Sequence, residues 1–192
     1  MNHESISPSP DALGNLLGTQ TAALLEAGLG HHRAGRLDDA QALYRRILEL
    51  WPDHASALHY LGVLALNRDD LANAAQLMDG ALVQAHDDAE LLANRGVVAA
   101  KQGDHAAAAL QRKAIEISPD FANAHNNLGN ALMELGDHAC AEQHYRRARS
   151  LDPRSAHLRS IWAARSKRQV ARPRRSRNTR RRGVSHRTTR KR

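Results

Sequence analysis

Twelve histidines, one cysteine and three aspartate doublets are the side chains here that could do chemistry. A metal site would need such ligands converging at set spacings, two histidines one helical turn apart for example. The histidines are not so arranged. His31 and His32 are neighbours on one helix and point to different sides. His105 and His138 fall early in two later helices, while His54, His59, His125 and His144 lie in separate segments without an i, i+4 histidine partner. All read as surface or packing residues. Cys140, between Ala139 and Ala141, reads as a small packing residue rather than an activated thiol. Asp38-Asp39, Asp69-Asp70 and Asp87-Asp88 sit at helix starts or turns, where carboxylates complement the positive end of a helix. No glycine-rich phosphate loop, Gly-x-Ser-x-Gly elbow or dinucleotide fingerprint is found, and Gly28-Leu29-Gly30 lies inside a helical stretch. No enzyme, cofactor or metal is expected.

The elements that would position a site are helical. Hydrophobic residues make up 42% of the 192, mostly Ala and Leu, while aromatic residues reach only 3%. Ala and Leu favour helix, whereas sheets draw on β-branched and aromatic side chains. One cysteine excludes an internal disulfide. No window approaches the roughly 18 apolar residues of a membrane span, and Met1 to Pro10 lacks the basic and apolar regions of a signal peptide. A cytoplasmic location is expected.

Four independent series keep one period. Gly28, Gly62, Gly96 and Gly129 recur every 33 or 34 residues. So do Ala40, Ala74, Ala107 and Ala141, the turn positions Gly35, Asp69, Gly103 and Gly136, and the series Pro52, His86, Pro119 and Pro153. Within a unit, Leu58, Leu61 and Ala65, then Leu71, Ala74, Met78 and Ala81, keep the spacing of one helical face. Asp53 and Asp87-Asp88 mark helix starts. Small residues at Gly62/Ala74 and Gly129/Ala141 predict close approach of paired helices.

These residues resemble the tetratricopeptide repeat, a 34-residue helix–turn–helix unit. The fourth copy carries Asn127-Leu128-Gly129-Asn130, Gly136-Asp137, Ala141, Tyr145, Ala148 and Asp152-Pro153. The third departs most, with Arg95 in place of the usual Leu and Gln111 in place of an aromatic. The resemblance implies an all-α, right-handed α-solenoid of about four helix hairpins, at residues 21–54, 55–88, 89–121 and 122–155. Residues 1–20 are expected to be disordered or partly helical, with a short helix over 11–20. Residues 156–171, with Leu158, Ile161 and Trp162, are expected to form a capping helix, since a terminal unit needs a polar outer face.

In this family the first helices of the hairpins line a concave groove that takes an extended peptide or a partner helix. Carried onto this chain, the groove comprises Glu26, Arg33, His59, Asn67, Asn94, Lys101, Asn123, Asn127, Asn130 and Glu134. Asn94 and Asn127 hold the same repeat position, and an amide side chain can both donate to and accept from a peptide backbone. The Asn placement is similar to the repeat arrays of O-linked N-acetylglucosamine transferases and their bacterial relatives. That implies a second reading, the substrate-recognition module of such a glycosyltransferase, although the remaining chain has no room for a catalytic domain. A chaperone-tail clamp is not expected, because Leu25 and Leu29 stand where Lys and Asn would be needed. The expected role is a non-catalytic scaffold whose partner is another protein.

Charge divides the chain. Met1 to Asp152 holds 20 Asp/Glu and 12 Lys/Arg; Pro153 to Arg192 holds 16 Lys/Arg and no acid. Residues 172–192, including Arg174, Arg175, Arg180, Arg181 and Arg182, are expected to be a disordered tail, too polar to bury a core. Such a tail can bind nucleic acid or an acidic surface weakly and with strong salt dependence, which is a third functional reading. It can equally lie against the acidic body, or arise from out-of-frame translation of a longer gene.

Overall fold

The computed structural model describes residues 10–154, so the expected capping helix at 156–171 and the arginine-rich tail, Arg174, Arg175, Arg180, Arg181 and Arg182 included, lie outside the described residues. Eight helices follow in order: α1 Pro10–Arg33, α2 Leu37–Leu50, α3 Ala55–Asn67, α4 Leu71–Gln84, α5 Ala89–Lys101, α6 Ala106–Ile117, α7 Ala122–Glu134 and α8 His138–Leu151. No described residue lies in a strand. Each odd-numbered helix pairs with the helix after it, each pair packs on the next, and α5 also touches α3 and α7. The odd helices therefore form the inner wall of an all-α solenoid.

Recurrent glycines set the spacing within pairs. A Cβ on Gly129 would lie 2.6 Å from Cε1 of Tyr145, one on Gly28 2.5 Å from Cε1 of Tyr44, and one on Gly62 2.8 Å from Cγ of Met78. These side chains fill the space that a larger inner residue would take. Ala40, Ala74 and Ala141 have no exposed surface. Tyr44, Ile47 and Leu64 pack in the first cluster of a core that continues in series along the stack. Full burial of an aliphatic side chain such as Ile47 or Leu64 contributes about 1.5–3 kcal/mol.

Within each hairpin the turn needs a left-handed residue. Gly35, Gly103 and Gly136 take φ of 74°, 73° and 82°, and Asp69 takes φ of 61° at the equivalent place. A short polar side chain tolerates that conformation better than most. Asp69 is held there by Lys101, whose Nζ lies 2.6 Å from its Oδ1.

Helix starts are partly as the sequence marks them. Asp70, Asp88 and Asp137 accept hydrogen bonds from the backbone N–H three residues on. At α3 the cap is one residue beyond the expected Asp53: His54 Nδ1 accepts from the Ala57 amide at 3.3 Å. Imidazole nitrogen serves here as aspartate oxygen does elsewhere. The helix expected over 11–20 is present but not separate: it is the start of a single helix of 24 residues that opens on Pro10. Proline suits a first helical position because its missing N–H would have no partner there.

Candidate functional site

On the inner wall, equivalent positions of successive hairpins form rows. One row reads Glu26, Tyr60, Asn94, Asn127, and another reads Arg33, Asn67, Lys101, Glu134. Between α5 and α7 a cavity of about 470 Å³ is lined by Glu90, Ala93, Asn94, Phe121, Asn123, Asn126 and Asn127. A second, of about 350 Å³, is lined by Gly96, Val97, Ala100, Lys101, Ala107, Gln111, Asn127, Asn130 and Glu134. Asn127 belongs to both. The two adjoining cavities thus hold Asn94, Asn123, Asn127, Asn130, Lys101 and Glu134 between them. Asn67 lies outside both cavities, exposed at the end of α3.

His59 is a correction. It is 4% exposed and lines neither of these cavities. It holds the repeat position of Ala93 and Asn126, one residue before the groove-facing row, so it turns toward the neighbouring inner helix. There the Asn94 side-chain amide donates to His59 Nε2 at 2.9 Å, and the imidazole stacks on Tyr60 with centroids 5.0 Å apart. Burial holds the His59 pKa below the usual imidazole value, against the pull of the Asp88 and Glu90 carboxylates. Asn94 and Asn127 are therefore equivalent in sequence but not in bonding: Asn127 makes no side-chain hydrogen bond among the described residues.

Asn130 is likewise engaged, its Oδ1 accepting from the Tyr145 hydroxyl at 3.0 Å. In the first hairpin Leu29 stands at the Asn130 position, and the buried Tyr44 hydroxyl has no partner. Burial pushes its pKa up to about 12.

The groove also holds residues that the sequence reading missed. Asn126 is 4% exposed and Glu90 and Phe121 line the same cavity. Asn126 could have been found by its adjacency to Asn127. Gln111 was visible as a departure from the repeat, but not its role: it is 1% exposed, Nε2 donates to the Ala93 carbonyl at 2.8 Å, and Oε1 has no donor.

Away from the groove, His125 and His144 meet across α7 and α8 with Nδ1 atoms 3.0 Å apart. His125 Nε2 donates to the Pro119 carbonyl, which leaves its Nδ1 to accept from His144. Burial, and then the His125 charge, push the His144 pKa down. The pair links two helices, and no cluster of three metal-ligating side chains exists among the described residues. Cys140 is exposed rather than packed, because the adjacent Ala141 takes the inward position. A hydrogen bond to the Asp137 carboxylate raises its thiol pKa and makes it less readily a thiolate. No helix among the described residues is long and apolar enough to cross a membrane.

Models of the tetratricopeptide repeat match residues 25–90 and 122–155, and a model described as TPR repeat matches residues 105–136. The chain is 28% identical over 140 residues to the protein CTR9 homolog of Arabidopsis thaliana. That stretch is 73% of this chain and 10% of the relative, so the chain spans about a tenth of that protein's length. Among solved structures, pilF of Pseudomonas aeruginosa matches with a TM-score of 0.68 at 20% identity, covering 80% of this chain and 72% of that one. An O-GlcNAc transferase of Thermobaculum terrenum matches with a TM-score of 0.62 at 27% identity, over 68% of this chain and 26% of that one.

Proposed function

Since the chain belongs to the tetratricopeptide-repeat family, we propose that it is a non-catalytic scaffold whose concave groove binds an extended segment of another protein. The observation that supports this most directly is Asn127, shared by the two groove cavities and unbonded among the described residues. Its amide can donate to one backbone carbonyl of a bound segment and accept from one N–H, as a neighbouring strand would. Asn94 and Asn123 extend that contact along α5 and α7, and Asn126 adds a nearly buried amide at the base. Lys101 and Glu134 lie on the rim. Asn67 and His59 are left out of the contact set.

The test is capture of partners on the full chain, compared with an Asn94→Ala/Asn127→Ala version still folded at the assay temperature, its melting temperature lowered by loss of the Asn94–His59 hydrogen bond. Side-chain hydrogen bonds worth about 0.5–1.5 kcal/mol each predict a loss of at least roughly tenfold in recovery. Recovery of the same proteins in the same yield by both versions would refute the groove.

A second reading rests on the likeness to the Thermobaculum O-GlcNAc transferase. There the array would present substrate to a glycosyltransferase domain on another part of a longer protein. It predicts that captured partners carry hydroxyl side chains within the bound segment, which mass spectrometry of the bound peptides would show.

A further inference from the structure

The smaller groove cavity has acceptors without donors. Gln111 stands at the repeat position of Tyr44, Met78 and Tyr145, and the space between α5 and α7 opens beside it, about 350 Å³ against Gly96 and Val97. Its Oε1 is buried and has no donor. The Glu134 carboxylate at the rim, and the Glu90 carboxylate on the far side of Asn127, make no ion pair among the described residues. Lys101, the one cation in the lining, is drawn toward Asp69 at 2.6 Å. A guanidinium fits this inventory. It brings five N–H donors in one plane and a methylene stem that can lie along Val97.

We infer that this cavity is a subsite for an arginine side chain, occupied by the chain's own residues 172–192. The inference rests on the groove reading above and assigns one side chain within it. Charge complementarity selects the occupant: residues 153–192 carry 16 Lys/Arg and no acid, whereas the body up to Asp152 carries eight more acids than bases, 20 against 12. Reach permits it. Arg154 follows α8, which packs on α7, one wall of the cavity. Residues 155–171 extended would cover up to roughly 60 Å. Tethering favours a weak site, because a covalent link makes the contact intramolecular, at an effective concentration set by the link's length.

The test measures anisotropy of a fluorescein-labelled synthetic peptide of residues 172–192 on two full-length chains. One is native. The other carries Arg174→Gln, Arg175→Gln, Arg180→Gln, Arg181→Gln and Arg182→Gln. With the groove self-occupied, the peptide binds the substituted chain about tenfold more tightly than the native one. Adding Glu134→Gln or Gln111→Met to the substituted chain weakens binding about five- to tenfold for loss of a charge-assisted or buried hydrogen bond. Met is compatible with the fold at that place, since Met78 occupies it in the second hairpin. Equal binding to both chains overturns the self-occupancy. Binding indifferent to Glu134→Gln and Gln111→Met but reduced by Asn94→Ala/Asn127→Ala overturns the subsite and leaves the groove standing. Binding indifferent to all four substitutions overturns both.

Discussion

Burial favours the neutral His59 imidazole, the form in which Nε2 can accept from Asn94. The unfolded chain takes up this proton near the ordinary value of about 6.5, the folded chain only at lower pH. The unfolded state therefore binds more protons in that window, and stability falls as pH drops below about 6.5. His144, depressed by burial and by His125, acts in the same direction. Urea midpoints should fall between about pH 7.5 and about pH 5.5, and His59→Gln should flatten part of that slope. Glycines separate by what surrounds them. Gly129→Ala drives a methyl into the Tyr145 ring and should cost about 1–3 kcal/mol in urea melts. Gly30→Ala, with nothing within 4 Å of the new Cβ, should gain about 0.5–1 kcal/mol by the helical preference of alanine over glycine.

At the scale of elements, the α3, α4, α5 and α8 starts are held by one N-cap side chain each, α6 by Asp104, whose carboxylate accepts from the Ala106 amide, while α2 and α7 begin at Arg36 and Phe121 without one. Asp88→Ala removes the Leu91 cap beside the groove and should lower stability by about 1 kcal/mol, read as a shift in melting temperature. The pairing of helices was legible in the sequence because glycine and alanine at fixed intervals leave no other geometry for close approach. Rotation of each helix about its axis was less so. One residue of offset separates Tyr60, in the groove row, from His59, buried against α5. Repeat spacing assigns positions to rows, but whether a polar residue beside a row faces ligand or neighbour is settled by packing. The same holds for Gln111: its departure from the aromatic pattern was visible, but its unmet oxygen exists only once α5 and α6 are in contact.

For the whole molecule, stability is the sum of each hairpin and its interface with the next. Amide hydrogen exchange should be slowest in α4, α5 and α6, with neighbours on both sides, and faster in α1 and α8; uniform protection along the chain would contradict nearest-neighbour coupling. The helical repeat was legible from periodicity, because a stack repeats its contacts with its sequence, whereas the solenoid and its groove were what the family resemblance implied. The long α1 was not, since the first hairpin's period gives no reason to extend the helix back to Pro10. Serial packing has a mechanical corollary. Loaded in tension from its two ends, the stack would lengthen in steps, shedding one hairpin at a time. Small changes of tilt between neighbours would let it flex as a spring and alter its pitch around whatever it holds.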